Sequence, residues 1–334
     1  MARAFAVLDR FEPVYEGGLV SSAAGGSAVV ACLSGEEVAL VDLATGRARA
    51  RVPCEGDVLT CFVLRPDGAV LVTAGRSLTL TAWRVDEAAP TAGRGWKAPH
   101  RAPVAHMAYD PSGTLVATGA GDKAVYVHDV ERGYVTHALR GHGALISAVA
   151  FHPDSKRLQL FSAANDGVIL HWDLAGGDGA GAIKARLESH VSAPTSLAFS
   201  PDGEALVSGG RDRVAIVWDL KAKKAVRTIA CRESVEGVAC VVASTGGGAS
   251  PTLLALTAGE SGVVRAWDAA TGKCVAGGGV TKPGAVPGLV GLSLLSAKAS
   301  LAAGVCYRFR PHVTPGTCLN FMEKMNRPIS AAFG

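Results

Sequence analysis

An all-β ring of four-stranded blades, a β-propeller, is the fold this 334-residue sequence predicts, and three observations predict it. The first is a recurring ending. Val41-Asp42, Trp83-Arg84, His128-Asp129, Trp172-Asp173, Trp218-Asp219 and Trp267-Asp268 follow one another at steps of 42, 45, 44, 46 and 49 residues. A period of this size marks stacked supersecondary units, none able to bury its faces alone. The second is turn chemistry. Arg65-Pro66-Asp67-Gly68, Asp110-Pro111-Ser112-Gly113, His152-Pro153-Asp154-Ser155 and Ser200-Pro201-Asp202-Gly203 separate short strand-like runs such as 196–199 and 205–208. Proline presets φ at the second turn position, and Asp, Ser and Gly suit those after it. The third is a polar set repeated at fixed spacing: a hydroxyl, then Asp four residues on, then the Trp position six further.

Taken in order, the first repeat is degenerate, with Val41 in the Trp position and Gly35 in the Asp position. The second keeps the spacing as Thr73, Ser77 and Trp83, with Ser replacing Asp. The third reads His100, Thr118, Asp122 and His128; the fourth His142, Ser162, Asp166 and Trp172; the fifth His190, Ser208, Asp212 and Trp218. The sixth reads Thr257, Ser261 and Trp267 and carries an insertion over 244–251. Residues 176–181 form a second Gly-rich loop. Beyond Cys274 the pattern fades, and 292–295 and 301–303 are expected as two strands of a seventh blade. Trp-Asp endings at this period are the mark of WD40 repeats. The prediction is therefore a WD40 β-propeller of six clear blades plus a degenerate or incomplete seventh, over 11–310. Residues 311–334 are left as an unassigned basic tail, open to disorder. Residues 11–15 are expected to pair within 285–310 as the outer strand of the last blade, closing the ring and hiding its edges.

Composition fits a globular chain, with 49% hydrophobic and 19% charged residues; 41 glycines serve the many turns. The net charge of +4 is uneven. Residues 280–334 hold six basic side chains against Glu323 alone, a net of +5, which leaves −1 for the repeats. Bulk charge therefore gives the ring no phosphate-coating character. The eight cysteines form no C-x-x-C pair, which argues against a zinc site and fits small apolar residues in a reducing compartment. Neither a secretory leader nor a membrane-spanning run is apparent, and a soluble intracellular protein is expected.

His, hydroxyl and Asp invite a catalytic-triad reading, but repetition in three blades opposes it, because an active site is normally made once. A satisfied internal network explains the same residues. Asp accepts from the imidazole, the imidazole reaches the hydroxyl, and the hydroxyl reaches the indole N–H. The network is assigned to His100, Thr118, Asp122, His142, Ser162, Asp166, Trp172, His190, Ser208, Asp212 and Trp218, with Trp83 and Trp267 in the outer repeats. G-x-S-x-G and P-loop motifs are absent, and His100 and His106 lack further ligands. No catalytic residue, metal or cofactor is assigned.

Blocks between the repeats point further. Phe11-Glu12-Pro13-Val14-Tyr15-Glu16-Gly17-Gly18, Trp96-Lys97-Ala98-Pro99-His100-Arg101-Ala102-Pro103-Val104, Thr136-His137-Ala138-Leu139-Arg140-Gly141-His142-Gly143, Gly209-Gly210-Arg211-Asp212-Arg213-Val214 and Glu233-Ser234-Val235-Glu236 are spread over about 11–275. In these blocks the sequence resembles the first propeller of the transducin-beta-like, WD-repeat subunit of the small-subunit processome, a UTP-B component associated with the U-three snoRNA. The resemblance implies a nucleolar scaffold in 18S rRNA maturation, working among sister propeller proteins, with pre-rRNA or snoRNA contact indirect or weak. That family carries two tandem propellers and a helical domain, of which this chain is expected to hold only the first.

The competing reading is a general interaction adaptor, such as a cullin ubiquitin-ligase substrate receptor. Its W-D-x-R blade ending is missing from Trp172-Asp173-Leu174-Ala175, Trp218-Asp219-Leu220-Lys221 and Trp267-Asp268-Ala269-Ala270. In either case the residue before each blade Asp, or its substitute, is a candidate partner contact: Arg76, Gly121, Asn165, Arg211 and Glu260. Arg211 is the leading anchor, because Arg is enriched at interface hot spots.

Overall fold

The structure is a computed structural model. It describes residues 20–22, 29–34, 36–42, 47–54, 56–85, 90–176, 179, 181–243, 252–259, 261, 263–276, 289–294 and 303–307. These form six four-stranded antiparallel sheets and one two-stranded sheet, with strands adjacent in sequence order inside each. Blade 1 runs from Val20–Ser22 to Arg47–Pro53, blade 2 from Leu59–Leu64 to Thr91–Lys97, and blade 3 from Val104–Tyr109 to Tyr134–Arg140. Blade 4 runs from Ile146–Phe151 to Ala182–Glu188, blade 5 from Pro194–Phe199 to Lys224–Ala230, and blade 6 from Val235–Ala243 to Cys274–Ala276. Leu289–Leu294 and Ala303–Tyr307 make blade 7.

The first strand of each blade lies against the first strands of its neighbours. Leu289–Leu294 touches the first strands of both blade 6 and blade 1, so the inner strands form a closed cycle. This is the WD40 β-propeller that the repeat period predicts. The expected closing strand over 11–15 lies outside the described residues, as do Gly35, the whole insertion over 244–251 and the tail from 308. Blade 7 corrects the expected boundaries. Its first strand begins at Leu289 rather than 292 and its second runs on to Tyr307, because Tyr307 pairs Leu289 and Ala303 pairs Leu294; residues 295, 301 and 302 of the expected strands lie outside the described residues.

Hydrophobic burial explains why blades must stack. Each core cluster draws on two adjacent blades. Val125, Val127 and Leu139 of blade 3 meet Ile146, Leu160 and Trp172 of blade 4. Phe161 and Ile169 of blade 4 meet Leu206, Ile216 and Trp218 of blade 5. Small residues set this spacing. A Cβ on Gly209 would collide with the Val235 side chain and come within 2.7 Å of Val238 Cγ1 in the next blade. Gly209→Ala is therefore expected to cost about 1–3 kcal/mol by overpacking, read as a lower Tm.

Turn geometry follows the residue types. Gly68, Gly113 and Gly203 adopt φ of 77°, 74° and 74° and donate their N–H groups to Arg65, Asp110 and Ser200 carbonyls at 2.8, 3.0 and 2.9 Å. The fourth turn departs from the prediction. With Ser155 in place of Gly, the reversal moves to Asp154–Arg157, whose N–H to carbonyl distance is 3.0 Å, and the strands rejoin at His152 and Gln159. The Asp of the repeat ending shapes the turn that follows it. Asp129, Asp219 and Asp268 carboxylates accept the N–H groups of Arg132, Ala222 and Ala270 at 2.9, 2.8 and 2.8 Å. Such side-chain bonds hold a turn that the ladder cannot.

Candidate docking rim and its polar supports

The first residue of the polar set, His, sits on the loop entering a blade, and the Asp sits on the turn between that blade's second and third strands. Their meeting places both loops at one end of the propeller. In blade 5 the chain of bonds is complete. The Trp218 indole N–H donates to Ser208 Oγ at 2.8 Å, the Ser208 hydroxyl bonds His190 Nε2 at 2.7 Å, and His190 Nδ1 bonds Asp212 at 2.8 Å. Asp212 also accepts the Val191 N–H at 3.0 Å. One tautomer satisfies every group: Nδ1–H donates to the carboxylate, and Nε2 accepts from the hydroxyl.

Blade 3 reaches the same end with a different residue. His100 bonds Asp122 at 3.0 Å and Thr118 Oγ1 at 2.9 Å. His128, in the Trp position, offers Nε2 to Thr118 at 3.1 Å, while its Nδ1 accepts from the Trp96 indole at 3.3 Å. Burial pulls the His128 pKa down to about 4 and also lowers His100 and His190 against the opposing pull of their aspartates. These rings are neutral at neutral pH.

Blade 4 departs from the expected pattern. Trp172 and His142 both bond Ser162, at 2.7 and 2.6 Å, but His142 Nδ1 is buried without a partner. Asp166 instead accepts the Gly143 and Val168 N–H groups at 3.2 and 3.0 Å. It is exposed, so the rest of its carboxylate faces solvent rather than the ring. A contrast follows. Asp212→Ala should cost about 1–3 kcal/mol by stranding the buried His190 N–H, whereas Asp166→Ala should leave thermal melting nearly unchanged.

Trp83 and Trp267 donate to Thr73 and Thr257 at 3.0 and 2.8 Å, and both are half-buried. In these blades the charge has changed sides. Asp57, on the entering loop, accepts from the Ser77 hydroxyl and from its N–H at 3.1 Å. Glu233, likewise on an entering loop, accepts the Ser261 N–H at 2.8 Å and pairs with Arg265. Ser at the Asp position thus comes with a carboxylate on the facing loop. Sequence reasoning missed Asp57 and Glu233; the acid ahead of each hydroxyl was the available signal.

Chemically, these sets have no access to a substrate. Ser162, Ser208 and Thr118 are fully buried, and each hydroxyl is engaged on both its donor and acceptor sides. Among the described residues, no group of three or more His, Cys, Asp or Glu is placed to hold a metal ion.

Above this layer lies the rim. Arg76, Gly121, Asn165 and Arg211 all occupy exposed turn tips, and Glu260 lies outside the described residues. Three tips are tied to their own blade: the N–H groups of Arg76, Asn165 and Arg211 donate to Val58, Leu145 and Ala193 carbonyls at 2.9, 2.9 and 3.0 Å. Sequence reasoning missed the apolar half of this rim. Val58, Leu145 and Val191, on the entering loops, are exposed.

Comparison with known proteins fits the geometry. The WD domain, G-beta repeat family matches residues 97–129, 133–173 and 181–219. The chain carries WD40 repeats. These three matches span blades 3 and 4 and the first three strands of blade 5, the blades with a His on the entering loop and a His or buried Trp at the end. The WD40 chain is also homologous to Transducin beta-like protein 3. It is 43% identical to the Bos taurus protein over 275 residues and 44% identical to the Homo sapiens protein over the same length, covering 81% of this chain. It is 31% identical over 124 residues to the WD repeat domain-containing protein 83 homolog of Dictyostelium discoideum, covering 37% of this chain and 36% of that protein. The chain spans about a third of the Transducin beta-like protein 3 relatives, 34% and 33% of their lengths.

Proposed function

We propose that the chain is a non-enzymatic propeller scaffold in small-subunit processome assembly and 18S pre-rRNA processing. It works in the nucleolus, held among other WD40 and scaffold proteins of the UTP-B subcomplex. The observation that carries this reading is the 43% identity to Transducin beta-like protein 3 over 275 residues, far longer than the repeat signatures alone. The blocks between the repeats support it further. The fold supports the scaffold part: its buried hydroxyls reach no substrate, while its turn tips offer a broad surface.

Contact with pre-rRNA or snoRNA is mainly through proteins. The repeats sum to −1, and the +5 of residues 280–334 adds a salt-sensitive phosphate attraction. Titrating the purified chain with naked pre-rRNA and comparing that with its recovery in assembled particles tests this. Weak, salt-sensitive binding beside firm recovery in particles is expected. Tight, salt-resistant and sequence-selective binding to naked RNA would overturn the protein-mediated account.

A further inference from the structure

We propose that the rim above blades 5 and 6 binds an acidic, aliphatic-bearing segment of a protein partner. The proposal rests on the scaffold reading and names the chemistry of one docking site. Arg211 and Arg213 stand on the same turn, both exposed, and they line a shallow groove with Ser234 and Glu236 of the neighbouring blade. The carboxylates around them are already engaged. Asp212 is taken by His190 and the Val191 N–H, Glu233 by Arg265 and the Ser261 N–H, and Glu236 accepts the Ser234 hydroxyl at 3.0 Å. Neither guanidinium has a carboxylate within ion-pair distance among the described residues. Asp212 and Glu236 keep their negative charges, because their hydrogen-bond partners are neutral, but their carboxylates are tied down by those bonds while both arginine side chains stand exposed. Arg232, Arg101 and Arg76 extend the same character along the rim.

Beside these charges stands apolar surface. Val191 is 92% exposed, and its N–H is held by Asp212, the residue between the two arginines. Val58 beside Arg76 is 63% exposed, and Leu145 beside Asn165 is also exposed. A guanidinium fork offers bidentate bonds to a carboxylate, and an adjacent exposed aliphatic group gains by covering. Nucleic acid fits less well. Single-stranded RNA is held by aromatic platforms, and the exposed aromatic side chain among the described residues, Tyr134, begins the outer strand of blade 3 at the opposite end.

The test uses the purified full chain and three labelled twelve-residue probes: alternating Glu-Leu, alternating Lys-Leu, and oligouridylate. Binding is followed by fluorescence anisotropy at low and high salt. The Glu-Leu peptide is expected to bind with salt-sensitive affinity, the Lys-Leu peptide not to bind, and the oligouridylate to bind more weakly than the Glu-Leu peptide. Arg211→Glu/Arg213→Glu should weaken the Glu-Leu peptide about tenfold or more, as charge reversal at an interface does, and Val191→Ser should weaken it with the charges intact. Both variants lie on exposed positions, and an unchanged Tm confirms that folding is not the cause. Unaltered peptide affinity in the double variant would overturn the proposal, as would tighter binding to oligouridylate that the same variant abolishes. Peptide binding with no ribosomal precursor recovered from cells would leave this site standing and remove the processome assignment.

Discussion

Trp218→Ala is expected to destabilise the protein by about 3–5 kcal/mol, the range for truncating a large buried aromatic residue. The indole is 2% exposed and packs in the cluster that joins blades 4 and 5. Its loss opens a cavity between blades and removes the N–H that satisfies Ser208. Trp83 and Trp267 make the same bond from half-buried positions, so their alanine variants should cost less. Urea denaturation of the three variants measures this order. A Trp218→Ala protein as stable as the parent, but unable to recover its partners, would make the network part of a recognition site and the structural account wrong.

The second large effect is acid sensitivity. Burial, the leading cause in each case, pulls His128, His142 and His171, the last a blade 4 ring stacked on Phe161, down to about 4, against about 6.5 for a histidine in the unfolded chain. Between those values the unfolded state binds more protons than the folded one. Stability is therefore complete above about pH 6.5 and is lost as pH falls toward 4, each ring contributing up to about 1.4 kcal/mol per pH unit. Melting temperature should be level from pH 7 to 8 and fall steeply below pH 6.5. A level profile down to pH 5 would contradict the assignment of these buried imidazoles as neutral.

These two effects rest on residues whose legibility in the sequence differed. Trp172, Trp218, His100, His190 and their hydroxyls were readable because propeller geometry repeats, so spacing alone brings them together. The His142 set was only half readable: its spacing matches, yet Asp166 stays in solvent, and exposure is not written in spacing. Asp57 and Glu233 escaped because their acid comes from the opposite loop, which breaks the hydroxyl-to-Asp spacing of the other blades. The extent of blade 7 was missed for a similar reason. Its second strand, Ala303–Tyr307, takes its bounds from pairing with Leu289–Leu294 and not from any repeat residue. The exposed aliphatic residues of the rim carry no sequence signal at all. Val191 differs from a core valine only in the loop that holds it.

Purifying the tagged chain from cells and identifying the RNA and proteins that come with it tests the scaffold account most directly. Precursors of 18S rRNA together with other WD40 proteins of the UTP-B subcomplex, retained through washes at raised salt, are the predicted result. Recovery of cullin ligase subunits, with no ribosomal precursor in the eluate, would contradict it.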